Sequence, residues 1–279
     1  MKQDFTLHTH TKPFDGQDDE YAMIKAAKQN GMKTIGFSNH FIVHPDICKT
    51  DFYPFAVFGG YQSIYNSNFE DALFYFKKHY DILEQYAAQN SQDNIQILRG
   101  MEMDLFDTRR WYNGYMHTIN TLKPDYIIGS AHLIEYGKKL CNIHDIKKAP
   151  ADVQDKMLMA YWKKVQWLAK SGMCSCLAHI DLPARVNLGT DEKWAEVEQQ
   201  TVDIIAENKI PVEINTAAYK KSVFPHPLPR IMKMCADKKV PMFLSDDAHK
   251  ASQVCRDFDK AKKYADCFGV KLVSLDKVL

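Results

Sequence analysis

Short, continuously apolar runs alternate along the chain with longer stretches in which apolar residues recur every three or four positions. The short runs predict buried strands, and the longer stretches predict amphipathic helices. The predicted strands are Phe5–Leu7, Lys33–Ser38, Ile95–Glu102, Tyr126–His132, Met173–His179, Pro211–Asn215 and Pro241–Ser245. The predicted helices are Asp18–Asn30, Asn68–Asn90, Trp111–Leu122, Val153–Ser171, Asp191–Asn208, Leu228–Lys238 and Ser252–Phe268.

The order of these elements predicts the fold class. Each strand is followed by a helix or a long loop, and this alternation indicates an α/β fold with a parallel sheet. At 279 residues the natural closure of such a sheet is a β/α barrel. The chain has no linker-like segment, internal repeat or low-complexity tract, so we predict a single domain over residues 1–279.

Residues 41–67 interrupt the alternation. They are rich in aromatic residues, proline and glycine, and they show no clean period. We expect a long, lid-like loop insertion over a site, because long structured loops often have that role. A packed surface insertion is the alternative.

Composition and charge exclude several classes of protein. The net charge is +1, from 36 basic and 35 acidic side chains, which gives no reason to expect nucleic acid or an anionic membrane as a partner. The chain has seven cysteines, an odd number, and no Cys-x-x-Cys motif, which argues against a disulfide framework and against a zinc ribbon. The chain begins without an apolar leader and has no apolar run of membrane length, so we expect a cytoplasmic protein.

Imidazoles and carboxylates fall at the ends of the predicted strands. His8 and His10 are two residues apart, so in an extended chain both side chains project from the same side. Asp15 lies in the turn beyond them, where Gly16 can adopt a positive φ. The remaining candidates at or just past strand ends are His40, Glu102, His132, His179, Asp247 and His249. The carboxyl ends of barrel strands face one mouth, so we expect all nine side chains to converge there.

Each of these residues alone has an ordinary structural explanation, such as a solvated histidine or a carboxylate that caps a helix. Together they indicate a metal centre. Imidazole and carboxylate without thiolate suit Zn²⁺, Mn²⁺ or Fe²⁺. Nine ligands are too many for one ion, so we expect two or three ions, about 3.5–4 Å apart as in other multinuclear sites.

The motifs resemble those of the PHP (polymerase and histidinol phosphatase) superfamily, and most closely its stand-alone histidinol-phosphatase branch. They cover nearly the whole chain in the family's order: His8-x-His10, Phe14-Asp15-Gly16, Asn39-His40, Gly100-Met-Glu102, Gly129-Ser-Ala-His132, Ala178-His179-Ile-Asp181 and Asp246-Asp247-Ala-His249. The resemblance implies a distorted (β/α)7 TIM-like barrel with a trinuclear metal site at the carboxyl face of the strands.

The resemblance also implies which residues bind each ion. The first ion would be bound by His8, His10, Glu102 and Asp247. The second would take Glu102 as a bridging ligand together with His132 and His179, and the third would take Asp15, His40 and His249. Many relatives carry histidine at the position of Asp15, and either residue binds zinc or manganese.

Three positions depart from or extend the family pattern. Relatives usually carry aspartate where this chain has Asn39, so the support of the ligand His40 is altered. The family's phosphate-binding arginine corresponds to Lys220, which is a point charge without bidentate geometry. Arg185 matches the branch's other phosphate-binding arginine; a surface arginine is the alternative interpretation.

The chemistry that follows is hydrolysis of a phosphomonoester. Three divalent ions with their carboxylates and a bridging hydroxide leave a net charge of about +2, which fits a phosphate dianion. We expect this metal-bridging hydroxide to attack phosphorus, with Asp247 or His249 handling the proton on the leaving alkoxide. The expected substrate is L-histidinol phosphate, cleaved to L-histidinol and phosphate in histidine biosynthesis, with His44 and Tyr53 of the 41–67 segment as candidate substrate contacts.

Three alternatives stay open. The first is a phosphoesterase of the same superfamily that acts on nucleotides or other small phosphates. The second is a non-catalytic PHP-like module, which should lack part of the ligand set. The third is an amidohydrolase-like deacylase, which gives no reason for Arg185 and Lys220. The sequence does not indicate an oligomeric state.

Overall fold

The computed structural model describes residues 3–89 and 95–279, and the chain forms two compact units. The N-terminal unit extends to Ile128 and also includes Asp246–Arg256. The C-terminal unit comprises Gly129–Ser245 and Asp257–Leu279. The single domain expected over residues 1–279 stays a prediction, and the two units are described separately.

Parallel strands form the centre of the N-terminal unit. The strands are β1 (Phe5–Thr6), β2 (Thr34–Phe37), β3 (His40–Val43), β4 (Tyr65–Asn66), β5 (Gln96–Asp104) and β6 (Tyr126–Ser130), which ends in the C-terminal unit. β2 pairs in parallel with β1 and β5, and β3 pairs in parallel with β4 and β5. All four residues of β2 are buried, as its continuous apolar character predicts.

Four helices belong to this unit: α1 (Glu20–Gln29), α2 (Tyr53–Phe58), α3 (Phe69–Gln89) and α4 (Arg109–Leu122). The side chain of Asp19 caps α1 by accepting a hydrogen bond of 2.9 Å from the backbone N–H of Ala22. Gly31 follows the helix with a φ of +73°, which a residue with a side chain adopts with difficulty. The helix predicted over 68–90 is present, and its expected last residue, Asn90, lies outside the described residues.

Tyr126 packs against β2 and β5 and against Leu7, which follows β1. Its hydroxyl donates a hydrogen bond to the backbone oxygen of Leu7, the residue before His8. Gly36 on β2 and Gly100 on β5 leave the space that its ring occupies, since a Cβ atom at either position would collide with the ring. One aromatic side chain therefore fills the space beside three neighbouring strands of the N-terminal unit.

The expectation of an irregular loop over residues 41–67 is wrong in its local structure. This segment contains most of β3, a 3₁₀ turn at Ile47–Lys49, the helix α2 and the strand β4. Phe41, Ile42 and Val43 are buried, and Phe41 packs against Phe76 of α3 with 5.3 Å between the ring centroids. Phe41 takes part in this packing, whereas Phe55 and Phe58 are exposed. The irregular spacing of the aromatic residues hid two short strands.

The C-terminal unit contains the strands β7 (Leu133–Tyr136), β8 (Lys139–Asn142), β9 (Cys176–Leu177), β10 (Val212–Asn215) and β11 (Met242–Ser245). Its helices are α5 (Ile143–Lys148), α6 (Ala151–Ser171), α7 (Ala195–Glu207), α8 (Pro229–Asp237) and α9 (Phe258–Cys267). β10 pairs in parallel with β9 and β11. The antiparallel hairpin β7–β8 and the short helix α5 were not predicted, and the strand and helix expected at Met173–His179 and Ser252–Phe268 are shorter than expected.

Among the helices in the described ranges, none combines the length and the apolar character that crossing a bilayer requires.

Candidate metal centre

The opening histidine pair lies directly after β1. The ring centroids of His8 and His10 are 5.1 Å apart, and both side chains are completely buried. Thr9, between them, points to the other side, where its hydroxyl donates a hydrogen bond of 2.7 Å to the backbone oxygen of Gly36. The alternation of an extended chain therefore presents both imidazoles to the same space.

The segment Asp246–His249 pairs with the opening segment through its backbone. The N–H of His10 donates to the oxygen of Ala248 at 2.8 Å, and the N–H of Ala248 donates to the oxygen of His8 at 3.1 Å. Because of this pairing, Asp247 Oδ1 lies 3.3 Å from His10 Nε2 and 3.8 Å from His8 Nε2. Asp247 has a φ of 46°, so the backbone bends where this carboxylate enters the centre.

Glu102 approaches from β5. In the register of the sheet it lies opposite His40, the first residue of β3. Its Oε2 atom is 2.8 Å from His40 Nδ1 and 3.2 Å from His8 Nε2. The neighbouring strands therefore bring this one carboxylate beside two histidines that are 32 residues apart in the sequence.

Asp15 reaches the opposite side of His10. Its Oδ1 atom is 3.4 Å from His10 Nδ1, and its Oδ2 atom is 3.2 Å from His40 Nε2 and 3.0 Å from His249 Nε2. Gly16 is not among the glycines with a positive φ, so that expectation is wrong. A glycine is needed there because a Cβ atom would collide with the backbone of His10 and Thr11.

Seven of the predicted ligands thus meet within the N-terminal unit, and the distances between their atoms suit metal ions. The donor atoms form two groups, each with all atoms within 4.8 Å of one another: His10, Asp15, His40 and His249, and His8, His10 and Asp247. Two ligands that each lie about 2.1 Å from a tetrahedral ion are separated by about 3.4 Å, close to the spacings found here. Both ring nitrogens of His10 and Oδ1 of Asp15 are buried without a hydrogen bond in the described part of the chain. These donor atoms therefore fit a divalent cation.

The electrostatics of the centre are those of a cation site. Burial alone would raise the pKa of Asp15 and Asp247, but the neighbouring histidines outweigh it and hold both pKa values well below the ordinary 3.8. Burial likewise opposes the charge of His40, yet Asp15 and Glu102 raise its pKa well above 6.5. Asp15 and Asp247 also raise the pKa of His249. In the chain without metal, protons on His40 and His249 therefore offset part of the carboxylate charge.

Two further predicted ligands, His132 and His179, lie in the C-terminal unit. Their ring centroids are 5.0 Å apart, and the backbone N–H of His179 donates to Glu213 Oε1 at 2.9 Å. Asp181, two residues later, accepts from His226 Nδ1 at 2.6 Å. Asp181, which follows His179 in the family motif, thus forms a buried pair with His226. His226 was not predicted from the sequence as a site residue.

The predicted substrate contacts differ in exposure. Arg185 and Lys220 are exposed, and within the described ranges neither side chain forms an ion pair. His44 is buried and accepts a hydrogen bond on Nδ1 from the backbone N–H of Asp46 at 3.1 Å. Tyr53, at the start of α2, is half-buried beside Cys48.

Other polar residues near the centre were missed by sequence reasoning. Tyr65, on β4, has its pKa raised mainly by burial, and His40 and Asp15 are the nearest charges that act on it. Asp246 is fully buried, accepts from Thr6 Oγ1 and the N–H of Cys255, and has its pKa raised by burial to about 7. The Asp246-Asp247 pair was a signal that could have identified it; Tyr65 had none, because its aromatic segment shows no period.

With this geometry established, comparison with known proteins assigns the family. A sequence model of the PHP domain matches residues 4–217. The chain belongs to the PHP domain family. The family resemblance found in the motifs is therefore confirmed.

Individual relatives of this PHP protein carry related descriptions. A Deinococcus radiodurans protein described as a probable histidinol-phosphatase is 25% identical over 194 residues, which are 66% of this chain and 70% of that protein. A Listeria monocytogenes crystal structure proposed to be a histidinol phosphatase covers 92% of this chain and 99% of its own, with a TM-score of 0.72 and 18% identity. A Lactococcus lactis histidinol phosphate phosphatase, solved with zinc, L-histidinol and phosphate, covers 97% and 95%, with a TM-score of 0.68 and 17% identity.

At these identities the two solved structures establish the fold of the PHP protein. It is a mostly parallel sheet of the TIM-like class with helices around it, and the predicted fold class is confirmed.

Proposed function

We propose that the protein is a metal-dependent phosphomonoester hydrolase that cleaves L-histidinol phosphate to L-histidinol and phosphate. The observation that carries the proposal is the meeting of four histidines and three carboxylates at the strand ends of the N-terminal unit: His8, His10, His40, His249, Asp15, Glu102 and Asp247. The description of the relatives as histidinol phosphatases supports the choice of substrate. A non-catalytic module is disfavoured because each of the nine ligand positions carries a competent side chain.

Two or three divalent ions, Zn²⁺, Mn²⁺ or Fe²⁺, form the proposed cofactor. His8, His10, Glu102 and Asp247 would hold one ion. Asp15, His40 and His249 would hold another. His132 and His179 are proposed as ligands of a further ion, and the role of Glu102 as a bridging ligand stays a prediction. Support for zinc comes from the donor chemistry and from the zinc present in the Lactococcus protein.

Bound divalent ions would supply charge neutralisation for the phosphate and a lowered pKa for the attacking water. The chain's own residues then have separate roles. Asp247 or His249 would pass a proton to the leaving alkoxide, since both are titratable side chains of the centre. Arg185 and Lys220 would bind the phosphoryl oxygens, and their exposed side chains have charge to offer.

The alcohol part of the substrate is assigned to the 41–67 segment, through His44 and Tyr53. His44 Nδ1 is already an acceptor for the backbone of Asp46, so a neutral ring carries its proton on Nε2. His44 would therefore act as a donor to the substrate, and Tyr53 would act through its half-buried hydroxyl.

We also propose a reducing, cytoplasmic location. All seven cysteines are free thiols, including the exposed Cys48 and Cys267. Exposed free thiols persist where disulfides are kept reduced.

The deciding experiment measures phosphate release from L-histidinol phosphate by purified protein loaded with Zn²⁺ or Mn²⁺, beside a panel of nucleotides and sugar phosphates. We expect kcat/KM for L-histidinol phosphate to exceed that of the other esters by at least about a hundredfold, since the site must recognise the amino alcohol as well as the phosphate. A preference for a nucleotide would show that the proposed substrate is wrong, while the proposed reaction, phosphomonoester hydrolysis, would stand. No hydrolysis of any ester by metal-loaded protein would refute the function.

A further inference from the structure

A chain of buried polar side chains lies behind the metal ligands in the N-terminal unit. Thr11 directly follows the ligand His10, and Asn39 directly precedes the ligand His40. Asn39 Oδ1 accepts a hydrogen bond of 2.8 Å from the backbone N–H of Thr11. The amide nitrogen of Asn39 lies 2.9 Å from Nε2 of His79 on α3. We call the four residues Thr11, Asn39, His79 and Glu20 the Asn39 network.

Glu20 of α1 closes the network. Its Oε1 atom lies 3.0 Å from His79 Nδ1 and accepts a hydrogen bond of 3.1 Å from the hydroxyl of Thr11. Thr11 and Asn39 are fully buried, and His79 and Glu20 are only 1% and 5% exposed. At such burial each polar group depends on its partners inside the protein, because leaving one unpaired costs about 1–3 kcal/mol.

The positions of the protons follow from the donors and acceptors. A backbone N–H can only donate, so the Asn39 atom that faces Thr11 must be the carbonyl oxygen. The atom that faces His79 is then the NH₂ group, which also can only donate. His79 Nε2 must therefore be the unprotonated nitrogen of a neutral ring, and the ring proton lies on Nδ1, directed at Glu20.

The surroundings leave few other groups that could change this arrangement. The ring of His79 packs against Phe14, Phe37 and Phe76, with centroid distances of 5.5, 6.0 and 6.4 Å. Tyr80 is also near, but its hydroxyl donates to the backbone oxygen of Gly100. Glu20 Oε1 accepts hydrogen bonds from both the Nδ1–H of His79 and the hydroxyl of Thr11, as an ionised carboxylate does. The network thus carries one negative charge, on Glu20.

We propose that Asn39 is a positioning residue that holds His79 as the neutral tautomer with its proton on Nδ1, and that the Asn39 network fixes the segments carrying His10 and His40 for metal binding. The second half of this proposal rests on the proposed metal-dependent function, whereas the tautomer does not. Through the network, Glu20 of α1 and His79 of α3 support the segments that carry His10 and His40, although neither helix contains a proposed ligand.

An aspartate at position 39 would change the network without changing its size. Its carboxylate has no donor to offer, so His79 would have to carry a second proton on Nε2 to keep that hydrogen bond. The total charge would remain −1, but the new carboxylate and the His79 imidazolium would form an ion pair behind the segment that presents His40. Asparagine therefore keeps the support of this segment neutral except at Glu20.

Nuclear magnetic resonance of ¹⁵N-histidine-labelled, zinc-loaded protein tests the tautomer. In a neutral ring the ¹⁵N chemical shifts of the two nitrogens are far apart, whereas in an imidazolium they are close together. The His79 signals are identified as those missing from the spectrum of His79→Gln. We expect a neutral Nδ1–H ring in the wild type and in Glu20→Gln, whose amide oxygen can still accept, and an imidazolium in Asn39→Asp. An Nε2–H or doubly protonated ring in the wild type at pH 7, or no change in Asn39→Asp, would overturn the proposal.

Competition with a chelator tests the positioning role. We expect His79→Gln and Asn39→Ala to weaken zinc binding by about 10–100-fold, as for other residues that orient metal ligands. The matched control is Tyr80→Phe, which removes a buried hydrogen bond from the neighbouring residue and should leave zinc binding unchanged. Wild-type affinity in both network variants would overturn the positioning half. A wild type that binds no zinc would instead refute the proposed function, and spectra of the metal-free protein would still decide the tautomer.

Discussion

His249 Nε2 lies 3.0 Å from Asp15 Oδ2, although 234 residues separate the two in the sequence. The same oxygen is 3.2 Å from His40 Nε2. One carboxylate atom thus faces imidazoles from two distant segments, which is the arrangement expected of ligands around a shared ion.

We expect Asp15→Asn to remove one ion per chain. The amide keeps the shape but loses the charge, and an imidazole pair without a carboxylate binds zinc less tightly. Metal analysis after gel filtration should show about one metal ion fewer per chain, because Asp15 takes part in one proposed site. Asp4→Asn is the control, because the Asp4 side chain is half-buried and pairs only with Lys33 among the ion pairs described. Full metal content in Asp15→Asn would remove Asp15 from the ligand set.

Glu102→Gln should have a larger effect than Asp15→Asn. Glu102 Oε2 lies within 3.7 Å of His8, His10 and His40, so its charge affects more than one group of ligands. We expect metal affinity to fall by more than about a hundredfold, beyond the 10–100-fold typical of residues that only orient ligands, with loss of phosphatase activity.

The matched control for Glu102→Gln is Glu198→Gln. Glu198 of α7 is equally buried but pairs with Arg230 of α8 in the C-terminal unit, with 2.6 Å between Oε2 and Nε. Its metal content should be normal. Equal metal content in both variants would contradict the assignment of Glu102.

Arg185→Ala should raise KM for a phosphomonoester by roughly tenfold or more, because a charge-assisted hydrogen bond contributes about 1.5–3 kcal/mol. Lys220→Arg should retain or improve binding, since a guanidinium can contact two phosphoryl oxygens at once. Lys221→Ala changes the exposed neighbour of Lys220 and serves as the control. Unchanged kcat/KM in Arg185→Ala would exclude this residue from substrate binding.

The metal-free protein should lose stability as the pH rises above neutrality. The pKa values of His40 and His249 are raised above 6.5 in the folded chain, so their protonation stabilises the fold most below pH 6.5 and the contribution disappears as the pH passes the raised values. The depressed pKa values of Asp15 and Asp247 act in the acid range, where their contribution is lost as the pH falls below 3.8.

Thermal unfolding between pH 6 and pH 9, with chelator and with zinc, measures the effect. With chelator we expect Tm to fall as the pH rises. With zinc the trend should disappear or reverse, because ligand deprotonation favours the metal. Parallel curves with and without zinc would show that these histidines do not bind it.

Gly100→Ala should destabilise the fold by about 1–3 kcal/mol, the usual cost of forcing an extra methyl group into a filled core. The added Cβ would collide with the ring of Tyr126. Chemical denaturation measures the change. In a double variant with Tyr126→Leu the cost of Gly100→Ala should be much smaller, and simple additivity of the two changes would refute the proposed collision.

Much of this architecture was accessible from the sequence, for physical reasons. The apolar stripes of α1 and α3 repeat over several turns, and a local period of that kind survives whatever the helix packs against. The meeting of His8, His40 and Glu102 could be predicted because these residues follow or end strands, and the carboxyl ends of parallel strands meet at one edge. The family resemblance grouped Asp15 with His40 and His249, and its carboxylate lies beside both imidazoles.

The parts that were missed depend on contacts between distant residues. His79 was not singled out from the sequence, because nothing local connects it to Asn39 or Glu20, 40 and 59 residues away. The β7–β8 hairpin is only four residues on each side, and its Gly137, with a φ of +61°, was its clearest local signal. β9 has two residues, whereas a strand was predicted over Met173–His179. An apolar run predicts burial but does not specify the hydrogen bonds that define a strand.

The backbone pairing of His8 and His10 with Ala248 also determines when the centre can be completed. Asp247 is translated 239 residues after His8, and the intervening chain includes nearly all of the C-terminal unit. At about 5–20 residues per second the ribosome needs about 10–50 s to cover that distance. During this interval the nascent chain carries His8 and His10 without Asp247, so the proposed first ion can gain its full ligand set only after Asp247 has been translated.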